Sequence, residues 1–137
     1  MPLLVAVFVL VGCAPVDRDA YVLQNLAVLN GLPRYPGAIE TSVSSTGASL
    51  ETEGPVVAYT TLALLRLPAG ATPAEVELFY RQELRDAGWR LTGRADDVPG
   101  PILGFQRGNA FVGINLESWR GRILEVVVDH DQRRATS

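Results

Sequence analysis

A chain of 137 residues, 47% apolar and 20% charged, is long enough for one domain with a real core and has ordinary globular composition. Its net charge of −3, with 12 basic residues that are all Arg, gives no electrostatic argument for nucleic acid, which recruits basic patches. The only cysteine, Cys13, excludes an internal disulfide.

The chain starts with twelve uncharged residues, Met-Pro-Leu-Leu-Val-Ala-Val-Phe-Val-Leu-Val-Gly. The run is shorter than the roughly 20 residues that span a bilayer, but it suits the apolar region of a secretory signal. The usual positive segment is missing, since Pro2 follows Met1 directly. Leu10-Val11-Gly12-Cys13 resembles the lipobox of bacterial lipoproteins. That resemblance implies cleavage after Gly12, a lipid on Cys13, and residues 13–19 as a tether. It also implies a domain held in the cell envelope, outside the cytoplasm, by lipid in the membrane. Ala14 stands where some lipoproteins carry an inner-membrane retention Asp, so the choice of membrane stays open.

The domain is expected over residues 20–129, followed by a polar tail over 130–137. Val22, Leu23, Leu26 and Leu29 are spaced as on a short helix over 20–29, stopped by Asn30-Gly31 and Pro33. Without Lys or Arg on its polar face, this helix suits packing on the domain better than lying on a membrane. Leu32-Pro-Arg-Tyr-Pro-Gly-Ala38 is stiffened by two prolines, with Tyr35 as a possible core plug. Ile39–Val43 reads as a strand, Ser44–Pro55 as a polar loop, and Val56–Leu67 as a covered strand.

Thr72 to Trp89 is the most strongly specified stretch. Thr72 and Glu75 are spaced as a capping box, and Pro73 takes the first helical position. Val76, Phe79, Tyr80, Leu84 and Ala87 form an apolar stripe, while Glu77 and Arg81 are spaced to pair. Gly88 can end the helix in the left-handed conformation, with Trp89 folding back. The spacing predicts a helix over 73–87. Leu78 falls on its polar face. Glu83 falls near the middle of the stripe, where a carboxylate must reach water or find a partner. It is a candidate ligand-binding acid.

Strands follow from Trp89, over 102–107, over 110–118 and over 122–129. Gly108-Asn109 is a hairpin signal, Arg94–Pro101 a loop and Trp119-Arg120-Gly121 a turn. The elements predict an α+β fold: an antiparallel sheet of about five or six strands, with the main helix packed across one face.

Tyr35-Pro-Gly-Ala38, the strand with Ala58-Tyr-Thr-Thr61, and Phe79-Tyr-Arg-Gln-Glu-Leu84 with Ala87-Gly-Trp89 resemble a recurring bacterial pattern. It occurs in small secreted or lipid-anchored proteins, with Y-P-G-A, a strand, F-Y-x-x-x-L-x-x-x-G-W and a β-meander. The resemblance covers roughly residues 32–129 and implies a fold and an address rather than a chemistry.

Catalytic candidates are few. His130, flanked by Asp129 and Asp131, reads as a solvated strand end that lacks further metal ligands. Asp96-Asp97 lacks the spaced ligands of a calcium loop, and no phosphate loop, HExxH or G-x-S-x-G is present. No catalytic residue, metal or cofactor is therefore assigned. Trp119, Arg120 and Arg122 at a hairpin tip are candidate binding residues, with Arg90, Arg94 and Arg107 able to add charge if their strands are neighbours. The leading expectation is a lipid-anchored, non-catalytic binding or accessory domain for an envelope protein or small ligand. A structural subunit of an envelope complex is the alternative, and a hydrolase or metal-dependent enzyme comes third.

Overall fold

The computed structural model describes residues 18–49, 56–95, 102–118 and 121–130. Its elements are α1 (Arg18–Gly31), β1 (Ile39–Ser49), β2 (Val56–Arg66), α2 (Pro73–Asp86), β3 (Arg90–Ala95), β4 (Ile102–Arg107), β5 (Ala110–Ser118) and β6 (Ile123–His130). The strands form one six-stranded antiparallel sheet in the order β1-β2-β6-β5-β4-β3. After β2 the chain passes through α2 to the far edge, and the meander returns until β6 lies beside β2. This is the expected α+β architecture.

Period-two alternation decides what the helices cover. Ala63 and Leu65 of β2, Leu103 and Phe105 of β4, Val112, Ile114 and Leu116 of β5, and Leu124, Val126 and Val128 of β6 are buried in one core. Leu29 of α1 and Val76, Tyr80 and Leu84 of α2 close that core from above. On the opposite face Leu62, Leu64, Phe111, Ile123 and Val127 are half-buried.

Both ends of α2 are made as the sequence specifies. The Thr72 hydroxyl accepts from the Glu75 amide at 3.3 Å, and the Thr72 amide donates to the Glu75 carboxylate at 3.2 Å. At the other end the Gly88 amide donates to the Arg85 carbonyl at 3.0 Å and the Trp89 amide to the Leu84 carbonyl at 2.9 Å. These two bonds are the Schellman pair. Gly88 sits at φ 87°, and a Cβ there would meet only Arg107 Cδ at 3.8 Å. Substitution is therefore opposed by backbone strain rather than by crowding. Gly88→Ala is expected to lower the unfolding free energy by about 1–2 kcal/mol, read as a shifted urea midpoint. An unshifted midpoint would contradict the left-handed stop.

The Tyr35-Pro-Gly-Ala38 motif is a turn closed by the Ala38 amide donating to the Tyr35 carbonyl at 3.0 Å, with Gly37 at φ 81°. The turn is held against α2. Tyr35 meets Phe79 edge-on with centroids 5.4 Å apart, and its amide donates to the Tyr80 hydroxyl at 3.4 Å. Burial pushes the Tyr80 phenol above its ordinary value. Tyr35 is half-buried against the core rather than a plug within it.

Three expectations need correction. β1 does not stop at Val43: residues 44–49 continue it, with Ser44 opposite Leu62, Ser45 opposite Thr61 and Thr46 opposite Thr60. An edge strand needs only one ladder, and Ser45 Oγ lies 2.8 Å from Thr61 Oγ1, so polar residues suit it where composition suggested a loop. α1 is longer than 20–29, and it buries Tyr21, Asn25 and Leu29, while Leu23 is 66% exposed. Its face is set by polar partners at Asn25, which an apolar count cannot see. His130 belongs to β6 and is only 7% exposed, not a solvated end, because it follows Val126 and Val128 on the core side.

Candidate functional site: an arginine-rimmed groove

α2 covers only part of the core face beneath it. Leu78, on its flank, is 55% exposed, and Leu91 of the edge strand β3 is 40% exposed. Between them opens a groove of about 610 Å³, within the range of small-ligand sites. Leu78, Trp89, Leu91 and Phe105 supply apolar walls; Arg81, Gln82, Arg85 and Arg90 supply the polar lining. A second, shallower depression of about 270 Å³ lies between α2 and the Tyr35 turn, sharing Leu78 and Gln82 with the first.

The groove rests on rigid elements. Trp89 is placed by the helix stop and is itself buried. The Arg107 guanidinium stacks over its ring at 4.5 Å and donates to the Ala87 carbonyl at 2.9 Å, so one side chain holds both the indole and the helix end. Glu77 accepts from Arg81 at 3.1 Å and from Arg94 at 3.3 Å, tying α2 to β3. The sequence-predicted pairing of Glu77 with Arg81 is thus present, and Arg94 joins it. Arg90 donates to the Gln106 side chain at 3.1 Å across the β3–β4 ladder. Arg85 makes a loose 3.7 Å contact with its neighbour Asp86, and both are about 70% exposed.

The residues singled out by sequence fall elsewhere. Glu83 is exposed and outside the groove. The buried face of α2, made by Val76, Tyr80 and Leu84, is centred on Tyr80, about 60° round the helix from Glu83, because Phe79, which extends the stripe toward Glu83, is only half-buried. Arg122 is half-buried in the β5–β6 turn at φ 52°, its carbonyl accepting from the Leu67 amide at 2.8 Å. Cys13, Trp119, Arg120, Asp96-Asp97 and the tail from residue 131 lie outside the described residues. Arg90, Arg94 and Arg107 do lie on neighbouring strands, but Arg107 serves Trp89 and only Arg90 lines the groove.

A second polar constellation joins α1 to the sheet. Asn25, fully buried, donates through Nδ2 to the Tyr59 carbonyl at 2.8 Å, which directs its Oδ1 at His130 Nδ1, 2.7 Å away. A carbonyl oxygen only accepts, so the proton sits on Nδ1. The Tyr21 hydroxyl donates to Asp129 at 3.2 Å, and its ring stands edge-on to the His130 imidazole. Burial pushes the His130 pKa below its ordinary value, with Asp129 pulling the other way. Every polar atom named here has a partner within the fold, which marks the cluster as a joint rather than a reaction centre. Among the described residues, no three His, Cys, Asp or Glu side chains converge as metal ligands. Comparison of the chain with protein-family models, with curated proteins and with solved structures gives no match.

Proposed function

We propose that this protein is a lipid-anchored, extracytoplasmic, non-catalytic binding domain, whose ligand seat is the groove beside α2. The observation that supports binding is the coexistence in one depression of two exposed leucines, Leu78 and Leu91, with converging guanidinium and amide groups. The non-catalytic reading rests on the absence from the sequence of a nucleophile–base or metal-ligand motif. The anchor reading rests on the uncharged start and Leu10-Val-Gly-Cys13. Four residues separate Cys13 from Arg18, where α1 starts, so the five steps between them reach at most about 18 Å. A lipid on Cys13 holds the domain close against its membrane.

Cys13→Ala tests the anchor. In detergent phase separation the parent chain is expected in the detergent-rich phase and the variant in the aqueous phase; identical partitioning of the two refutes the lipid. The seat is tested by the neutral, environment-sensitive dye N-phenyl-1-naphthylamine. Its fluorescence is expected to rise with the parent domain and to fall with Leu78→Asp.

A further inference from the structure

The lining of the groove goes beyond the existence of a seat to the class of molecule it takes. Resting on the binding reading above, we propose that the occupant is a single-chain anionic amphiphile. Its apolar chain lies between Leu78, Leu91, Trp89 and Phe105, and its carboxylate or phosphate head meets the guanidinium groups of Arg85 and Arg90.

Three observations lead to that chemistry. Among the described residues, the charged groups that line the groove are all positive: Arg81, Arg85 and Arg90, with Gln82 as the fourth polar residue and no carboxylate among them. This concentration runs against the chain as a whole, whose net charge is −3. Glu77 is shared between Arg81 and Arg94, and Asp86 makes only the loose 3.7 Å contact with Arg85. Arg85 and Arg90 are also the rim residues whose forks match an oxyanion best: both are exposed, and Arg90 spends one nitrogen on a neutral amide.

The apolar half of the argument concerns water. Leu78 and Leu91 are large side chains left exposed on either side of one concavity rather than scattered singly over the surface. An apolar chain laid between them removes both from water and reaches Trp89 and Phe105 at the floor. A wholly apolar ligand leaves Arg85 with only its loose Asp86 contact and Arg90 with only a neutral amide. A wholly polar anion leaves the leucines wet. Only a molecule with both parts satisfies the two halves together.

The test uses the full chain with Cys13→Ala and the neutral dye N-phenyl-1-naphthylamine, displaced by competitors that share one alkyl chain: dodecanoate, dodecanol and dodecyltrimethylammonium, all below their aggregation limits. Dodecanoate is expected to displace the dye at least about tenfold more tightly than dodecanol, and the cation least. Added salt is expected to weaken dodecanoate and spare dodecanol. Arg85→Glu with Arg90→Glu is expected to abolish the preference while the dye still binds; both sites are exposed, so the fold tolerates them. Equal displacement by all three competitors overturns the anionic assignment and leaves the seat intact. Failure of the dye to bind, or binding unaffected by Leu78→Asp, overturns the seat and this inference with it. Binding to phosphatidylglycerol vesicles that dodecanoate does not compete away also overturns it, assigning the rim to a bilayer surface.

Discussion

Asn25→Leu is expected to lower the unfolding free energy by about 2–5 kcal/mol, although the two side chains are similar in size. Two groups lose their partners at once: the part-buried Tyr59 carbonyl, held at 2.8 Å, and the buried His130 Nδ1–H, held at 2.7 Å. Each stranded group costs about 1–3 kcal/mol, so an added apolar side chain does not compensate. α1 meets the sheet at β2 and β6 through this joint, so its docking is expected to loosen first. Urea unfolding gives the magnitude, and amide exchange in α1 gives the location. A variant as stable as the parent contradicts the bonding described.

The same joint makes stability pH-dependent. The His130 pKa is lowered by burial in the folded state, so between that value and the ordinary 6.5 the unfolded chain binds more protons than the folded one. Stability is then complete above about pH 6.5 and falls as the pH drops through the folded value. The groups facing the imidazole are Asn25 and Tyr21 from α1, with Asp129 beside it on β6 and opposing the shift. Urea midpoints compared at about pH 7.5 and about pH 5.5 are expected to drop more in the parent than in His130→Gln, which removes the titration. Equal slopes in the two proteins refute the assignment.

Leu84→Ala is expected to cost about 2–5 kcal/mol. Leu84 is fully buried where α2 meets the core, and its carbonyl also receives the Trp89 amide that stops the helix. Truncation leaves a cavity between α2 and the sheet that the pinned Trp89 cannot close. Against a typical total of about 5–15 kcal/mol, such a loss removes a large share of the stability. Leu78→Ala provides the contrast. At 55% exposed, Leu78 is expected to change stability by no more than about 0.5 kcal/mol while weakening dye binding in the groove. Denaturant unfolding and dye titration on both variants separate the core role from the groove role. Equal destabilisation by the two truncations contradicts the burial pattern.

How far the sequence could be read depended on how local each determinant was. The start and stop of α2 are bonds between residues three to five apart, and they stand where Thr72, Glu75, Gly88 and Trp89 placed them. Val112, Ile114 and Leu116, and Leu124, Val126 and Val128, share buried faces because alternation alone assigns sides. The extent of β1 was not legible: residues 44–49 carry loop-like composition, and only pairing with β2 holds them extended. Glu83 looked central because Phe79 was counted as a full member of the stripe, whereas the structure leaves Phe79 half-buried and centres the face on Tyr80.

By itself, then, the sequence determined the start and stop of α2, the meander and the α+β class, since these follow from propensity, capping and period within short stretches of chain. Tertiary structure alone decided the two sites. Asn25 and His130 are 105 residues apart, and neither reveals the other as its partner until α1 docks on β2 and β6. The groove needs Leu78 and Arg85 from α2, Leu91 from β3 and Phe105 from β4 brought to one depression. A site made of side chains from separate elements is a product of how those elements cross, and no periodicity within any one of them encodes it.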